Sequence, residues 1–231
     1  MASDTGTVGM LSTTSAQALW IPAAGMCETR GQALAPLESG QARVRTLYSG
    51  ISRGTESLVF HGRVPSGEFE RMRGPHMEGD FRFPVKYGYS CVGRIEEGDA
   101  SRVGRAVFCL HPHQDLFVVA EDTLFLLPED LPPSRAVLAA NMETALNIVW
   151  DAGILPGDRV AVFGAGVVGS LVAYLASGIT GTDIQLIDRN PAKAALAAKL
   201  GLSFATTEMV AGEFDVLINA SGSPALLARA A

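Results

Sequence analysis

Long apolar runs are missing from this chain. No stretch reaches membrane-spanning length, and the opening residues Met1 to Ser15 are polar, rich in Thr, Ser and Gly, without the basic and apolar regions of a secretion signal. The expected location is therefore the cytoplasm, with no membrane as partner. Cysteine is scarce as well. Cys27, Cys91 and Cys109 are odd in number and widely separated, which argues against a disulfide framework, and the absence of any Cys-x-x-Cys excludes a structural zinc loop on spacing. Charge is also low: 18% of residues are charged, the net value is −6, and no basic block occurs, so nucleic acid is not an expected partner. What is abundant is apolar content, 48% of 231 residues, enough to build one large or two small domains.

The chain changes character part-way. Between residue 16 and about residue 130, short alternating runs such as Ala42–Leu47, Val92–Ile95, Ala106–Leu110 and Leu116–Val119 are separated by Gly, Pro and Asp turns, the pattern of a β-rich domain. The interval Phe60–Pro84 has no clear period and reads as a long loop, a candidate lid. After Pro132-Pro133 the pattern turns helical: Ser134 is placed to N-cap a helix, and an apolar stretch runs through Met142 to Trp150. The expected organisation is a disordered segment 1–15, a β-rich domain 16–132 and an α/β domain 133–231.

The α/β part carries the most specific signal. Val160–Phe163 reads as a buried parallel strand, and Gly164, Gly166 and Gly169 follow at G-x-G-x-x-G spacing where a helix should begin. With 25 glycines in the chain such a spacing can arise by accident, so its context decides. A second strand, Asp183–Ile187, ends at Asp188, 19 residues after Gly169, where a carboxylate would accept hydrogen bonds from the adenosine ribose. The segment Gly164, Ala165, Gly166, Val167, Val168, Gly169 and the acid Asp188 are thus expected to hold a dinucleotide pyrophosphate and ribose. Asp188 favours NAD over NADP, while the adjacent Arg189 is the side chain a 2′-phosphate would seek. Gly178 is expected to end the first helix as a left-handed cap, and Asn190 with Pro191 to start the next, Ala192–Leu200. Strands follow at Ser203–Ala205 and Phe214–Ile218, then a helix from Pro224 to Ala231. Only the first four strands of a dinucleotide sheet are present, so this domain is expected to be truncated, with an open edge prone to homo-oligomerisation.

Local motifs along nearly the whole chain give it a resemblance to the medium-chain dehydrogenase/reductase family. Ser49-Gly-Ile-Ser-Arg-Gly-Thr-Glu56 resembles the family segment Gly-x-Cys-x-(Thr/Ser)-(Asp/Glu), Tyr87-Gly-Tyr-Ser90 stands where Gly-His-Glu is expected, and Leu155-Pro-Gly-Asp158 precedes the glycine turn. Ala220-Ser-Gly222 is similar to the loop that passes near the nicotinamide. The resemblance implies a GroES-like substrate domain followed by a Rossmann cofactor domain. It also implies hydride transfer between NAD(P) and a small alcohol or ketone. Zinc-dependent members hold their metal with a Cys, a His and a further Cys or Glu. Here Ser52 takes the cysteine place, Tyr89 the histidine place and Ser90 the neighbouring glutamate place, leaving only Glu143 as an acidic ligand, so no zinc is expected. The Ser-Gly-Ile-Ser-x-Gly-Thr-Glu string is similar to the zinc-independent branch containing 2-desacetyl-2-hydroxyethyl bacteriochlorophyllide A dehydrogenase.

Without a metal, proton transfer falls to hydroxyls and carboxylates, and the resemblance points to Ser52, Thr55, Glu56, Tyr89 and Glu143. The alternative is that Tyr89 fills vacated space and that Ser52 and Thr55 only cap a helix. His111-Pro-His113 is read as a locally hydrogen-bonded pair rather than a metal site, and His61 and His76 as surface groups of the long loop. Quinone or enoyl reduction, and nucleotide binding without catalysis, remain open as alternatives.

Overall fold

The computed structural model describes residues 15–210 and 212–222, which divide after Val137 into two compact units. The disordered segment expected at 1–15 and the helix expected at 224–231 lie outside the described residues, apart from Ser15, which opens the first strand.

The first unit is β-rich. Its opening strands β1 (Ser15–Trp20) and β2 (Glu28–Ala33) form an antiparallel pair. Then come β3 (Gln41–Ser49), α1 (Arg53–Phe60), α2 (Phe69–Met72), β4 (Glu78–Gly79), β5 (Val85–Lys86), β6 (Cys91–Glu97), β7 (Ala106–Cys109), β8 (Leu116–Ala120), β9 (Phe125–Leu126) and α3 (Pro133–Ala136). Five of these strands make one antiparallel sheet in the order β8-β3-β6-β7-β9. Period-two alternation turns Ala42, Val44, Ile95, Val107, Phe117 and Val119 into its core. The β3–β6 register shifts between Thr46 and Tyr48, so one extra residue, Leu47, is inserted there. Such a bulge reverses the alternation, and Thr46 and Ser49, three apart, come to line one cleft.

Two expectations for this unit need correction. The interval Phe60–Pro84 is not a bare loop: it contains a 3-10 turn Ser66–Glu68, α2 and β4, and Phe69, Met72, Met77 and Phe81 pack with Val59, Val85 and Tyr87. Its apolar residues follow no single period because they come from several short elements, which hid the cluster from pattern reading. The division between units also falls after Val137 rather than Pro132, because Ser90 Oγ donates to the Val137 carbonyl (2.5 Å) and so ties this segment to the first unit.

The second unit comprises α4 (Ala139–Asp151), β10 (Arg159–Phe163), α5 (Val167–Ser177), β11 (Asp183–Ile187), α6 (Ala194–Lys199), β12 (Ser203–Ala205) and β13 (Val216–Asn219). All four strands are parallel, in the order β12-β11-β10-β13. The order reverses at β10, which makes the carboxyl ends of β10 and β13 the switch point where an open α/β sheet binds ligands. Val160, Val162, Leu186 and Ile218 face α4 and α5 residues Ala145, Val149, Val172 and Ala176 in a fully apolar core. Ser134 does not cap the long helix: it lies inside α3, whose turn is started by Pro132 and Pro133 with their preset φ, and α4 begins at Ala139 without a side-chain cap. Gly178 is right-handed (φ −77°) rather than left-handed; its N–H donates to Leu175 O, and Thr182 Oγ1 reaches Ala176 O at 2.9 Å from beyond the helix. Asn190 caps as expected, its Oδ1 accepting from Ala192 N–H, although the first turn is 3-10.

Candidate functional site

Each unit contains one cluster capable of chemistry. In the second unit, β10 ends at Phe163 and the chain turns sharply at Gly164, whose φ of +102° suits glycine. A side chain at Gly164 would meet the Ser221 backbone at 2.7 Å, and one at Gly169 would meet the Gly164 carbonyl at 1.9 Å. These two glycines therefore let the β13 loop, Ala220-Ser-Gly222, and the start of α5 close on the turn. Gly166 is different: nothing lies within 4 Å of where its Cβ would be. That open face is where a ligand's pyrophosphate can approach the backbone. The first intrahelical bond of α5 is Ser170 N–H to Gly166 O, so the N–H groups of Val167, Val168 and Gly169 precede it at the positive helix end.

Asp188 closes this arrangement. Its Oδ2 accepts from Ala165 N–H and its Oδ1 from Asn190 N–H, each at 2.8 Å, which fixes the carboxylate beside the glycine turn with lone pairs to spare. Arg189 beside it is exposed. Val167 is exposed and Val168 packs against the core, so both contribute through the backbone rather than the side chain. Ser221 N–H and Oγ both donate to Asn219 Oδ1, ordering the loop that follows β13. This donor set fits a dinucleotide: amides for the phosphates, a carboxylate for ribose hydroxyls, and an open glycine between them.

In the first unit the candidate residues are arranged differently from expectation. Ser52 takes the N-cap position of α1, yet its hydroxyl makes no cap bond; Glu56 Oε1 instead accepts from the Ser52 N–H (2.7 Å). The other oxygen, Oε2, is 2.7 Å from His113 Nε2, and His113 Nδ1 is 2.5 Å from Ser49 Oγ. Sequence reasoning missed Ser49, and it read His113 as locally hydrogen-bonded, whereas its partners Glu56 and Ser49 lie 57 and 64 positions away. No local pattern connects them. Tyr89 is half-buried against the Val59, Met77, Phe81 cluster, edge-on to Tyr87. Thr55 is half-buried, and among the described residues no hydrogen bond joins Thr55 or Tyr89 to Ser52 or Glu56. Glu143 lies on α4 in the other unit, where its carboxylate accepts from Asn147 Nδ2 (2.5 Å).

The histidines divide by environment. His111, stacked on Phe117 at 3.8 Å, is pushed down to about 3 by burial, with His76 and Lys86 adding to the effect and a bond to the Pro112 carbonyl opposing it. His76 is exposed as expected, yet it stacks on the buried His111 at 5.2 Å and its pKa is lowered, by partial burial first and then by Lys86. Lys86 itself is 2% exposed, and its ammonium is met by Glu78, Gln114 Oε1 and Gln32 Oε1.

Zinc fits poorly at the positions where the resemblance would put it. Ser52, Tyr89 and Ser90 offer neutral hydroxyls, and the Ser90 proton is already committed to Val137 O. Burial pushes the thiols of Cys91 and Cys109 up to about 11 and about 12, which makes both poor sources of thiolate.

Known proteins agree with this architecture. (R,R)-butanediol dehydrogenase of Bacillus subtilis is 25% identical over 84% of this chain and 67% of its own length. D-xylulose reductase A of Aspergillus niger is 34% identical over 46% of this chain, and the match spans only 34% of that enzyme. A solved alcohol dehydrogenase of Escherichia coli, in complex with NADH, superposes with a TM-score of 0.75 at 17% identity, covering 94% of this chain and 72% of that one. The chain shares the fold of the medium-chain dehydrogenases. Its first unit corresponds to the GroES-like part of that fold and its second to the Rossmann part. No family model matches the sequence. The chain spans about two thirds of the butanediol dehydrogenase and about one third of the xylulose reductase.

Proposed function

We propose that this medium-chain dehydrogenase fold serves an NAD-dependent, zinc-independent oxidoreductase that interconverts a secondary alcohol and a ketone. The observation that carries the reading is the turn itself: an open Gly166 between free first-turn amides and a carboxylate held by Ala165 N–H. When bound, the nicotinamide would supply the hydride acceptor or donor. The glycine turn would bind its pyrophosphate, Asp188 its adenosine ribose, and Ala220, Ser221 and Gly222 would border its other end. Asp188 opposes a 2′-phosphate electrostatically, which supports NAD over NADP.

The proton that accompanies hydride transfer would be handled by the hydroxyls of Ser52, Thr55 or Tyr89. Glu56 would act by orienting Ser52 through its N–H, and Glu143 would serve as a second carboxylate. Zinc independence is supported by the hydroxyl donor set, and the Ser49–Glu56 string resembles the branch containing 2-desacetyl-2-hydroxyethyl bacteriochlorophyllide A dehydrogenase. A cytoplasmic location accords with three free cysteines and with the absence, among the described residues, of any helix long and apolar enough to cross a membrane. Calorimetric titration with NADH and NADPH, followed by turnover on secondary alcohols, tests the reading. Tighter binding of NADH is the expected result, and equal or tighter binding of NADPH overturns the cofactor preference. Elemental analysis finding about one tightly held zinc per chain would overturn zinc independence.

A further inference from the structure

Ser49 and His113, which the hydride-transfer reading leaves unused, form with Glu56 an ordered hydroxyl–imidazole–carboxylate chain. Ser49 ends β3 with an exposed side chain, its Oγ 2.5 Å from His113 Nδ1. His113 Nε2 is 2.7 Å from Glu56 Oε2, and the carboxylate is held in place by Ser52 N–H at its other oxygen. The His113 and Glu56 side chains are only 11% and 12% exposed, so the polar pair is largely shielded from water while Ser49 is not. Close packing requires a glycine opposite the ring: a Cβ at Gly88, which has φ +134°, would lie 3.0 Å from the imidazole.

With Glu56 ionised and the imidazole neutral, Nε2–H donates to the carboxylate and Nδ1 accepts from the Ser49 hydroxyl. A neutral imidazole held in that tautomer by a carboxylate is the general base of acyl-transfer sites, here with the two ring nitrogens exchanged. Ser49 and His113 also line a cleft of about 290 Å³, together with Gln17, Thr29, Thr46 and Asp115. Asp115 makes the cleft unfavourable for anions. Gln17 and Thr29 present side-chain donors with no intramolecular hydrogen bond among the described residues, available to a carbonyl oxygen.

We propose that this cleft is an acyl-transfer site for small neutral or cationic esters, with Ser49 as nucleophile, His113 as general base and Glu56 as the group that orients and stabilises the imidazole. The Ser49 Oγ lone pair bonds to the ester carbonyl carbon as the Oγ proton passes to His113 Nδ1. The ester C–O bond then breaks, and the leaving alkoxide takes that proton and departs as the alcohol. Water, deprotonated by the same nitrogen, hydrolyses the acyl-serine to release the carboxylic acid and restore Ser49.

The proposal stands apart from the cofactor reading, since every residue belongs to the first unit. A neutral fluorophosphonate probe, with the labelled peptide mapped by mass spectrometry, tests it on the full chain. Labelling at Ser49 is expected, falling at least tenfold in His113→Gln and in Glu56→Gln and vanishing in Ser49→Ala. Hydrolysis of p-nitrophenyl acetate should fall in parallel, while NADH affinity and the circular dichroism spectrum of Ser49→Ala stay unchanged. No labelling of the intact protein, labelling confined to another serine, or labelling at Ser49 that persists undiminished in His113→Gln overturns the proposal.

Discussion

The two units offer their chemistry in opposite currencies. In the second, the groups presented to a ligand are mostly main-chain: amides at the start of α5, an open glycine and a single carboxylate, all within one βαβ unit from Arg159 to Asp188. In the first they are side chains from a strand, a helix and a loop, with Glu56 and Ser49 reaching His113 across 57 and 64 positions. The difference teaches where each unit is vulnerable. A backbone-built site fails when a side chain intrudes, whereas a side-chain-built site fails when a proton or a partner is lost.

The largest effect should come from acid, in the first unit. His111 is held down to about 3 when folded, whereas the unfolded ring titrates near about 6.5. Between those values the unfolded chain binds a proton that the folded chain refuses, so stability falls as pH drops through that window. The loss should reach on the order of 3–5 kcal/mol. Denaturant unfolding between pH 7 and pH 3 reads it. His111→Phe, which keeps the ring stacked on Phe117, should flatten the slope; an unchanged slope would assign the acid sensitivity elsewhere.

The next effect belongs to the second unit. Gly169→Ala drives a Cβ to 1.9 Å from the Gly164 carbonyl and should cost about 3 kcal/mol or more of stability. If the variant melts with the parent, the close approach of α5 to the turn is not needed.

Asp188→Ala removes the acceptor for Ala165 and Asn190 N–H and should weaken NADH binding by about 1–3 kcal/mol. Calorimetry measures this, and undiminished affinity would remove Asp188 from the ribose site. The smallest effect on folding sharpens the comparison most: Gly166→Ala enters open space at an ordinary φ of −78°, so stability should change by less than about 0.5 kcal/mol. NADH affinity should nonetheless fall at least about tenfold, or ~1.4 kcal/mol. Loss of stability without loss of affinity would reverse the roles assigned to Gly166 and Gly169.

The α/β unit was legible because its signals are local. β11 and β12 run over Asp183–Ile187 and Ser203–Ala205, the spans read from the apolar pattern, and Asn190 caps where its residue type foretold. Gly178 was misread because residue type alone does not fix the handedness of a cap that bonds Leu175 O from right-handed φ. In the β-rich unit β3, β6, β7 and β8 were legible while the other short strands and the connections were not: Phe69, Met77 and Phe81 belong to a core assembled from short elements that share no period.

Sequence by itself determined the fold class, the glycine turn and its acid, since hydrophobic periodicity, glycine spacing and capping act over a few residues and need no partner from afar. Tertiary structure alone decided that Gly166 faces open space while Gly169 does not, and that Glu56 meets His113, which in turn meets Ser49. The physical reason is that hydrogen bonds and steric contacts depend on distances in space. Those distances are set only when strands far apart in the chain find their register and a single bulge at Leu47 turns Ser49 toward the cleft.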